Sequence, residues 1–216
     1  MNIIIFGPPG AGKGTQSDFI VNKFKFFKLS TGDLLRTEIK KKSPLGIKIT
    51  SIVNSGALVS DNIINSLIEK IVSNEEYKNR IIFDGYPRNL PQAENLNKLL
   101  SNYMQKIDLV IRLKVSLNVI KKRISGRVVC SKCGNTYNEY FNPPKKDSLC
   151  CQKEFLNKRD DDNVDIAIKR FETYEKSTEP VLDFYKQLNL VKEVNGESNI
   201  DDIYSEISSY LNVIEA

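Results

Sequence analysis

Histidine is absent from the 216-residue chain. That removes the commonest general base, every Ser–His and Cys–His nucleophilic pair and every histidine metal ligand. Any chemistry must then fall to carboxylates, lysine, arginine, cysteine, hydroxyls or the backbone. Long apolar runs are missing too, so no stretch reads as a membrane span. The opening residues, Met1-Asn2-Ile3-Ile4-Ile5-Phe6-Gly7, carry neither a basic flank nor a small-residue cleavage site. They predict a strand rather than a secretory signal, and with it a cytoplasmic protein with no membrane partner. Low-complexity tracts and internal repeats are also lacking. Cysteine is scarce and bunched: Cys130, Cys133, Cys150 and Cys151 are the only four. In a cytoplasmic chain that clustering favours a metal over disulfides.

What remains is the composition of one full-sized core with small insertions, 40% hydrophobic and 27% charged. The net charge of +5, from 32 Lys+Arg against 27 Asp+Glu, suits polyanionic ligands without choosing among them.

Short β-branched and aromatic runs alternate with helical patterns. Strands are predicted over Asn2 to Phe6, Phe26 to Ser30, Arg80 to Asp84, Asp108 to Val115 and Leu190 to Val194. Helices are predicted over Lys13 to Lys23, Asp61 to Ser73, Pro91 to Leu100, Leu117 to Ile124 and Asp165 to Leu188. Runs such as Ile3-Ile4-Ile5-Phe6 suit strands buried on both faces, as in parallel sheets. The alternation argues for a doubly wound α/β core with a five-stranded parallel sheet. Two stretches break the rhythm. Thr31 to Val59 has short helical patterns and no strand, and Gly126 to Asn163 holds the cysteines, Pro143-Pro144 and no amphipathic helix. Both read as insertions.

Gly7-Pro8-Pro9-Gly10-Ala11-Gly12-Lys13-Gly14-Thr15 follows the first strand and opens a helix. Glycines let the backbone fold back so that several N–H groups converge on a phosphate. The helix N-terminus adds its positive dipole end, and Lys13 a charge that can follow the β- and γ-phosphates. Gly14 stands where the hydroxyl after the lysine is usual, with Thr15 displaced by one. The customary hydroxyl ligand to Mg²⁺ is therefore missing or re-aimed, and the ion must be held by phosphates, waters and carboxylates elsewhere.

This loop resembles that of the nucleoside monophosphate kinases. Ser30-Thr31-Gly32-Asp33-Leu34-Leu35-Arg36 and Phe83-Asp84-Gly85-Tyr86-Pro87-Arg88 are similar to two further adenylate kinase signatures. The likeness extends to Gly126-Arg127, Arg159-Asp160-Asp161-Asp162-Asn163 and Arg170 and runs in order along essentially the whole chain. It is closest to the long form, whose lid in some members carries zinc. The resemblance implies a core of residues 1–29, 60–125 and 164–216, an AMP-binding insertion at 30–59 and a lid at 126–163. It also implies phosphoryl transfer from MgATP to AMP giving two ADP, by a monomer.

The acceptor in that reaction is already anionic, so no strong base is needed, in keeping with a chain without histidine. What it needs is alignment and charge neutralisation. By resemblance, Gly10, Ala11, Gly12, Lys13, Gly14 and Thr15 hold the ATP phosphates. Arg123, Arg127, Thr136, Tyr137 and the backbone near Ser198 complete the ATP side. Arg127, Arg159 and Arg170 close over the transferring group, the last two also facing AMP. Arg36 and Arg88 hold the AMP phosphate. Thr31, Ala57, Leu58, Val59, Gly85, Tyr86, Pro87 and Gln92 line the AMP pocket. Asp84 ends a buried strand and, with Asp33, is a candidate for holding magnesium through waters. Asp33 is equally readable as a helix cap, although Thr31 is the stronger cap candidate. Gln92 can read an adenine edge through both ends of its amide, or can be a surface residue of a first helical turn.

Cys130-x-x-Cys133, followed after sixteen residues by Cys150, matches three ligands of a zinc knuckle. The family's fourth position falls on Lys153, which cannot bind zinc while protonated. Adjacent Cys151 is the substitute, with one residue fewer before Arg159. Four thiolates would make a structural site that stiffens an apolar-poor lid. The alternative is a metal-free lid held by polar contacts. A zinc-ribbon nucleic-acid binder is a rival, but Glu139, Asp147, Glu154 and Asp160 to Asp162 interrupt any basic face. A same-fold kinase acting on UMP, CMP or GMP is the nearer alternative.

Overall fold

The computed structural model describes residues 1–42, 44–54, 59–145, 150–159 and 162–215. Five parallel strands form the main sheet: β1 (Ile3–Phe6), β2 (Phe27–Ser30), β3 (Ile81–Asp84), β4 (Leu109–Lys114) and β8 (Val191–Asn195), in the order β2-β3-β1-β4-β8. Each falls within a residue or so of its sequence-predicted span.

Alternation along the strands divides the core in two. Ile4, Phe6, Ile81, Phe83 and Val110 face one side, and Ile3, Ile5, Ile82, Leu109 and Ile111 the other. The first face is covered by α4 (Asp61–Val72), α5 (Leu90–Asn102) and α8 (Glu179–Gln187). The second is covered by α1 (Lys13–Phe24) through Ile20 and Phe24, and by α9 (Ile200–Glu215) through Ile203, Ile207 and Leu211. Each fully buried aliphatic side chain contributes roughly 1.5–3 kcal/mol of transfer free energy. The apolar i, i+4, i+8 spacing of the α9 residues was legible, but the C-terminal helix is not among the helices predicted above.

The predicted helix over Asp165 to Leu188 is interrupted. It divides into α7 (Val164–Thr173), a π-helical stretch over Tyr174–Thr178 and α8. Pro180 lies in the first turn of α8, where its missing N–H suits a helix start but would break a continuous hydrogen-bond ladder. Within 30–59 lie α2 (Thr31–Lys40) and α3 (Pro44–Asn54). After α6 (Leu117–Ser125) comes a separate antiparallel sheet of β5 (Arg127–Cys130), β6 (Thr136–Asn138) and β7 (Leu156–Asn157), ordered β6-β5-β7. These strands of two to four residues are largely half-exposed and carry no buried apolar run that could be read from sequence.

The N-terminal ends of the strands are fastened by one buried amide. Asn2, fully buried, donates to the carbonyls of Gln105 Oε1 (3.2 Å) and Lys106 (3.0 Å) and accepts from the Ile81 N–H (3.1 Å). Gln105 in turn accepts from Asn79 N–H and donates to the Val72 carbonyl. Removing the hub strands several buried polar groups, each costing on the order of 1–3 kcal/mol. Asn2→Ala is therefore expected to lower unfolding free energy by about 2–4 kcal/mol in urea titration. Ligand affinity at the opposite, C-terminal end of the sheet should be unaffected.

Candidate active site

The carboxyl ends of β1, β2 and β3 open into one crevice, the place where an open parallel sheet presents its loops. From β1 the chain enters the glycine loop, where Gly10 (φ 81°) and Gly12 (φ 97°) occupy the left-handed region. Gly12 caps α1 without a side chain, and the first turn of α1 has no acidic residue, so its positive end is uncompensated. Lys13 curls back to donate to the carbonyls of Gly7 (2.7 Å) and Pro8 (3.0 Å). Burial lowers its ammonium to about 8, Asp84 opposing and Arg88 and Arg127 adding to the shift.

Asp84 ends β3 and is buried. Burial raises its carboxyl above the usual range, against the pull of Lys13 and then Lys28. Opposite Asp84 in the β2–β3 register is Ser30, whose hydroxyl accepts from the Asp33 N–H (3.3 Å) and so caps α2. The cap is thus neither Thr31 nor Asp33, both of which lie inside the first turn. Thr31 is buried and donates to the Gly85 carbonyl (2.9 Å), holding the two signature loops together. Asp33 instead receives Arg36 Nη2 at 2.6 Å. Partial burial disfavours its charge, but this hydrogen bond and the Arg36 charge hold its carboxyl below the ordinary range.

Thr31, Val59, Gly85, Tyr86, Arg88 and Gln92 line a cavity, with Leu35 and Ile64 adding apolar wall that the motifs did not indicate. Ala57 and Leu58 lie outside the described residues. Pro87 follows a cis peptide bond after Tyr86. Arg88 is anchored by donating Nε to the Gly85 carbonyl (2.7 Å). Burial first, and then Arg170, lowers its guanidinium to about 10. Gln92 is buried at 2% exposure, which overturns its reading as a surface residue. Its Oε1 accepts from the Arg88 N–H (2.7 Å) and its Nε2 donates to Asp61 (2.5 Å). These partners fix which end of the amide is which, and each end keeps a second hydrogen-bonding position. Asp61 was not anticipated from sequence.

Further arginines face the crevice from other elements. Arg123 on α6 donates to the carbonyls of Ala11 (3.1 Å) and Gly196 (2.8 Å). Ser198 stands two residues beyond Gly196, its N–H bonded to the Asn195 carbonyl. Arg127 on β5 grips Asp162 through Nε and Nη2, and the Asp162 side chain is fully buried. Arg159 donates to Thr136 Oγ1 (3.4 Å). Burial, then Arg127 and Arg36, lowers it to about 10. Arg170 on α7 donates to the Val53 carbonyl of α3 (2.9 Å). Mutual influence links Arg36, Arg88 and Arg170, and likewise Arg36, Arg127 and Arg159. The structure thus brings most of the sequence-predicted arginines into one cationic field suited to a polyphosphate.

The four cysteine sulfurs lie within 4.8 Å of one another. Cys133 and Cys151 sulfurs are 3.5 Å apart, and the Tyr137 hydroxyl lies 3.2 Å from Cys151. Four zinc–sulfur bonds of about 2.3 Å would separate tetrahedral sulfurs by roughly 3.8 Å, so the donor set fits that ion. Contact with Cys133 pushes the Cys150 thiol up to about 12. Thiols this close resist ionising together without a cation among them.

The adenylate kinase family model matches residues 5–190. The chain is 50% identical over 213 residues to the adenylate kinase of Pelagibacter ubique, covering 99% of this chain and all of that protein. It is 41% identical to that of Methanocella arvoryzae, with 97% of each covered, and 38% identical to that of Bacillus subtilis, with 98% of each covered.

Because burial disfavours the Lys13 cation, its proton leaves as pH rises through about 8, whereas a bound polyphosphate favours the charged form. Calorimetric titration with a nucleoside triphosphate should show affinity weakening about tenfold between about pH 7 and pH 9. Lys13→Met should bind weakly and without that slope.

Proposed function

The chain belongs to the adenylate kinase family, and from that premise we propose how its crevice transfers a phosphoryl group reversibly between MgATP and AMP, giving two ADP. The observation that carries this reading is the convergence of Lys13, Arg36, Arg88, Arg127, Arg159 and Arg170 on a crevice that adjoins the cavity lined by Thr31, Val59, Gly85 and Gln92.

The glycine loop and Lys13 hold the donor phosphates, with Arg123 and Arg127 beside them and Thr136, Tyr137 and the Ser198 backbone on the donor nucleoside. Arg36 and Arg88 hold the acceptor phosphate, and Arg159 and Arg170 close on the oxygens in transit. An AMP phosphate is anionic at neutral pH and needs no proton removed, so positioning and charge neutralisation supply the catalysis. Magnesium would enter with ATP and supply positive charge to its phosphates. Asp84, at the end of β3, and Asp33, in the first turn of α2, would hold its waters.

Segments 30–59 and 126–163 act as an acceptor-binding insertion and a lid over the core of 1–29, 60–125 and 164–216. Their closure excludes water, which would otherwise compete as acceptor. Gln92 offers one free donor position and one free acceptor position to an adenine edge, a pattern guanine does not match. The protein is read as a monomer because no step of this scheme needs a second copy, and as cytoplasmic because four clustered thiols suited to a metal fit a reducing compartment. Among the described residues no helix is long and apolar enough to cross a membrane. Cys130, Cys133, Cys150 and Cys151 hold a structural zinc, which ties the turn after β5 to the segment before β7.

A coupled assay of ATP with AMP, GMP, CMP and UMP tests the substrate assignment. Turnover with AMP should exceed the others by about a hundredfold or more, and turnover with UMP, CMP or GMP but not AMP would overturn it. Metal analysis of the purified protein should give one zinc per chain, lost in Cys151→Ser. Undiminished zinc in that variant would remove Cys151 from the site.

A further inference from the structure

Lys28 plays no part in the motifs that mark the site, yet its ammonium stands among the groups that matter most to it. It lies on β2, the edge strand of the sheet, two residues before the capping Ser30. Its Nζ donates to Asp18 Oδ1 (2.8 Å) on α1 and to the Gly14 carbonyl (3.4 Å). The side chain is only 20% exposed, against 55% for Asp18. Its charge reaches both Asp33 and Asp84, favouring their ionised forms.

Gly14 gives this placement its meaning. A P-loop usually carries at that position a hydroxyl that ligates Mg²⁺. A Cβ built on Gly14 would lie 3.7 Å from Lys28 Nζ and 3.9 Å from Asp84 Oδ2. Where such a hydroxyl would branch, the protein has a fixed cation on one side and a carboxylate on the other.

We propose that Lys28 is a positioning residue that supplies, from the edge of the site, part of the positive charge otherwise brought by magnesium. Two opposite electrostatic effects follow. A fixed ammonium bonded to the Gly14 carbonyl of the loop assigned to the donor phosphates attracts the metal-free nucleotide, which carries more negative charge. The same ammonium repels a divalent cation held at Asp33 and Asp84. Lys28 therefore narrows the gap in affinity between metal-free and magnesium-bound ATP. Asp18, by half-neutralising Lys28, limits the effect. The inference rests on the assignment of Asp33 and Asp84 to magnesium and tests it separately.

The experiment is calorimetric titration with ATP in EDTA and with ATP in excess magnesium, comparing the ratio of the two dissociation constants. In Lys28→Met, the ratio of metal-free to magnesium-bound Kd should rise at least about threefold. Lys28→Arg should stay near the parent, and Asp18→Asn should move the ratio the other way. The Asp18 variant keeps the test decisive should Lys28→Met fold poorly. An unchanged ratio in Lys28→Met, or equal weakening of both constants, would overturn the proposal, because a purely structural lysine affects the two ligands alike. Asp84→Asn separates the premise from the inference. If it collapses the ratio while Lys28→Met does not move it, only Lys28 is lost. If Asp84→Asn leaves the ratio alone while Lys28→Met moves it, the magnesium assignment of Asp84 is overturned.

Discussion

Buried cations that repel one another must be held in place without being neutralised, and the backbone carbonyl is the group that does this. Lys13 is tied to the Gly7 and Pro8 carbonyls, Arg88 to Gly85, and Arg123 to Ala11 and Gly196. A carboxylate in any of these places would orient the cation equally well, but would cancel the field that attracts phosphate. A carbonyl dipole orients it and leaves its net charge intact. The price appears as lowered proton affinity at Lys13, Arg88 and Arg159, a cost that a polyanionic ligand relieves.

Among the described residues Arg36 and Arg127 depart from this arrangement, both on segments that flank the core. Arg36 is paired with Asp33, and Arg127 with a fully buried Asp162. The Arg127 pair gives the β5–β6–β7 sheet a polar tether of its own, since that sheet contributes few side chains to the main core, whereas the Arg36 pair is internal to α2. The sheet ends supply the rest of the precision. Ser30 and Asp84 are register partners, and the Thr31 bond to Gly85 locks the two loops that follow them.

The glycine loop was legible because its chemistry is local: strand, left-handed glycines, lysine and helix follow one another within a dozen residues. The strands of the main sheet were legible because burial on both faces leaves unbroken apolar runs. The cap of α2 was misplaced by one residue because Ser30-Thr31-Gly32-Asp33 offers three capping side chains in succession, and only backbone geometry chooses among them. Gln92 was left open between ligand contact and surface, because its partner Asp61 is 31 positions away. Lys28 passed unnoticed for a similar reason. A lysine alternating with apolar residues on a short strand reads as the solvated face of an edge, and only the fold gathers residues 14, 18, 28, 33 and 84 around it.

Among the described residues β1, the first strand in chain order, lies in the middle of the sheet, and α1 behind it is covered by α9. Gln16 of α1 even donates to the Ile200 carbonyl at the head of α9 (3.0 Å). During vectorial synthesis the glycine loop therefore precedes by far the α9 helix that covers α1. Its nearest sheet partners are parallel strands more than seventy residues downstream, pairings that close large loops and form slowly. In a nascent chain the phosphate loop is thus made well before the strands and the helix that hold it in place.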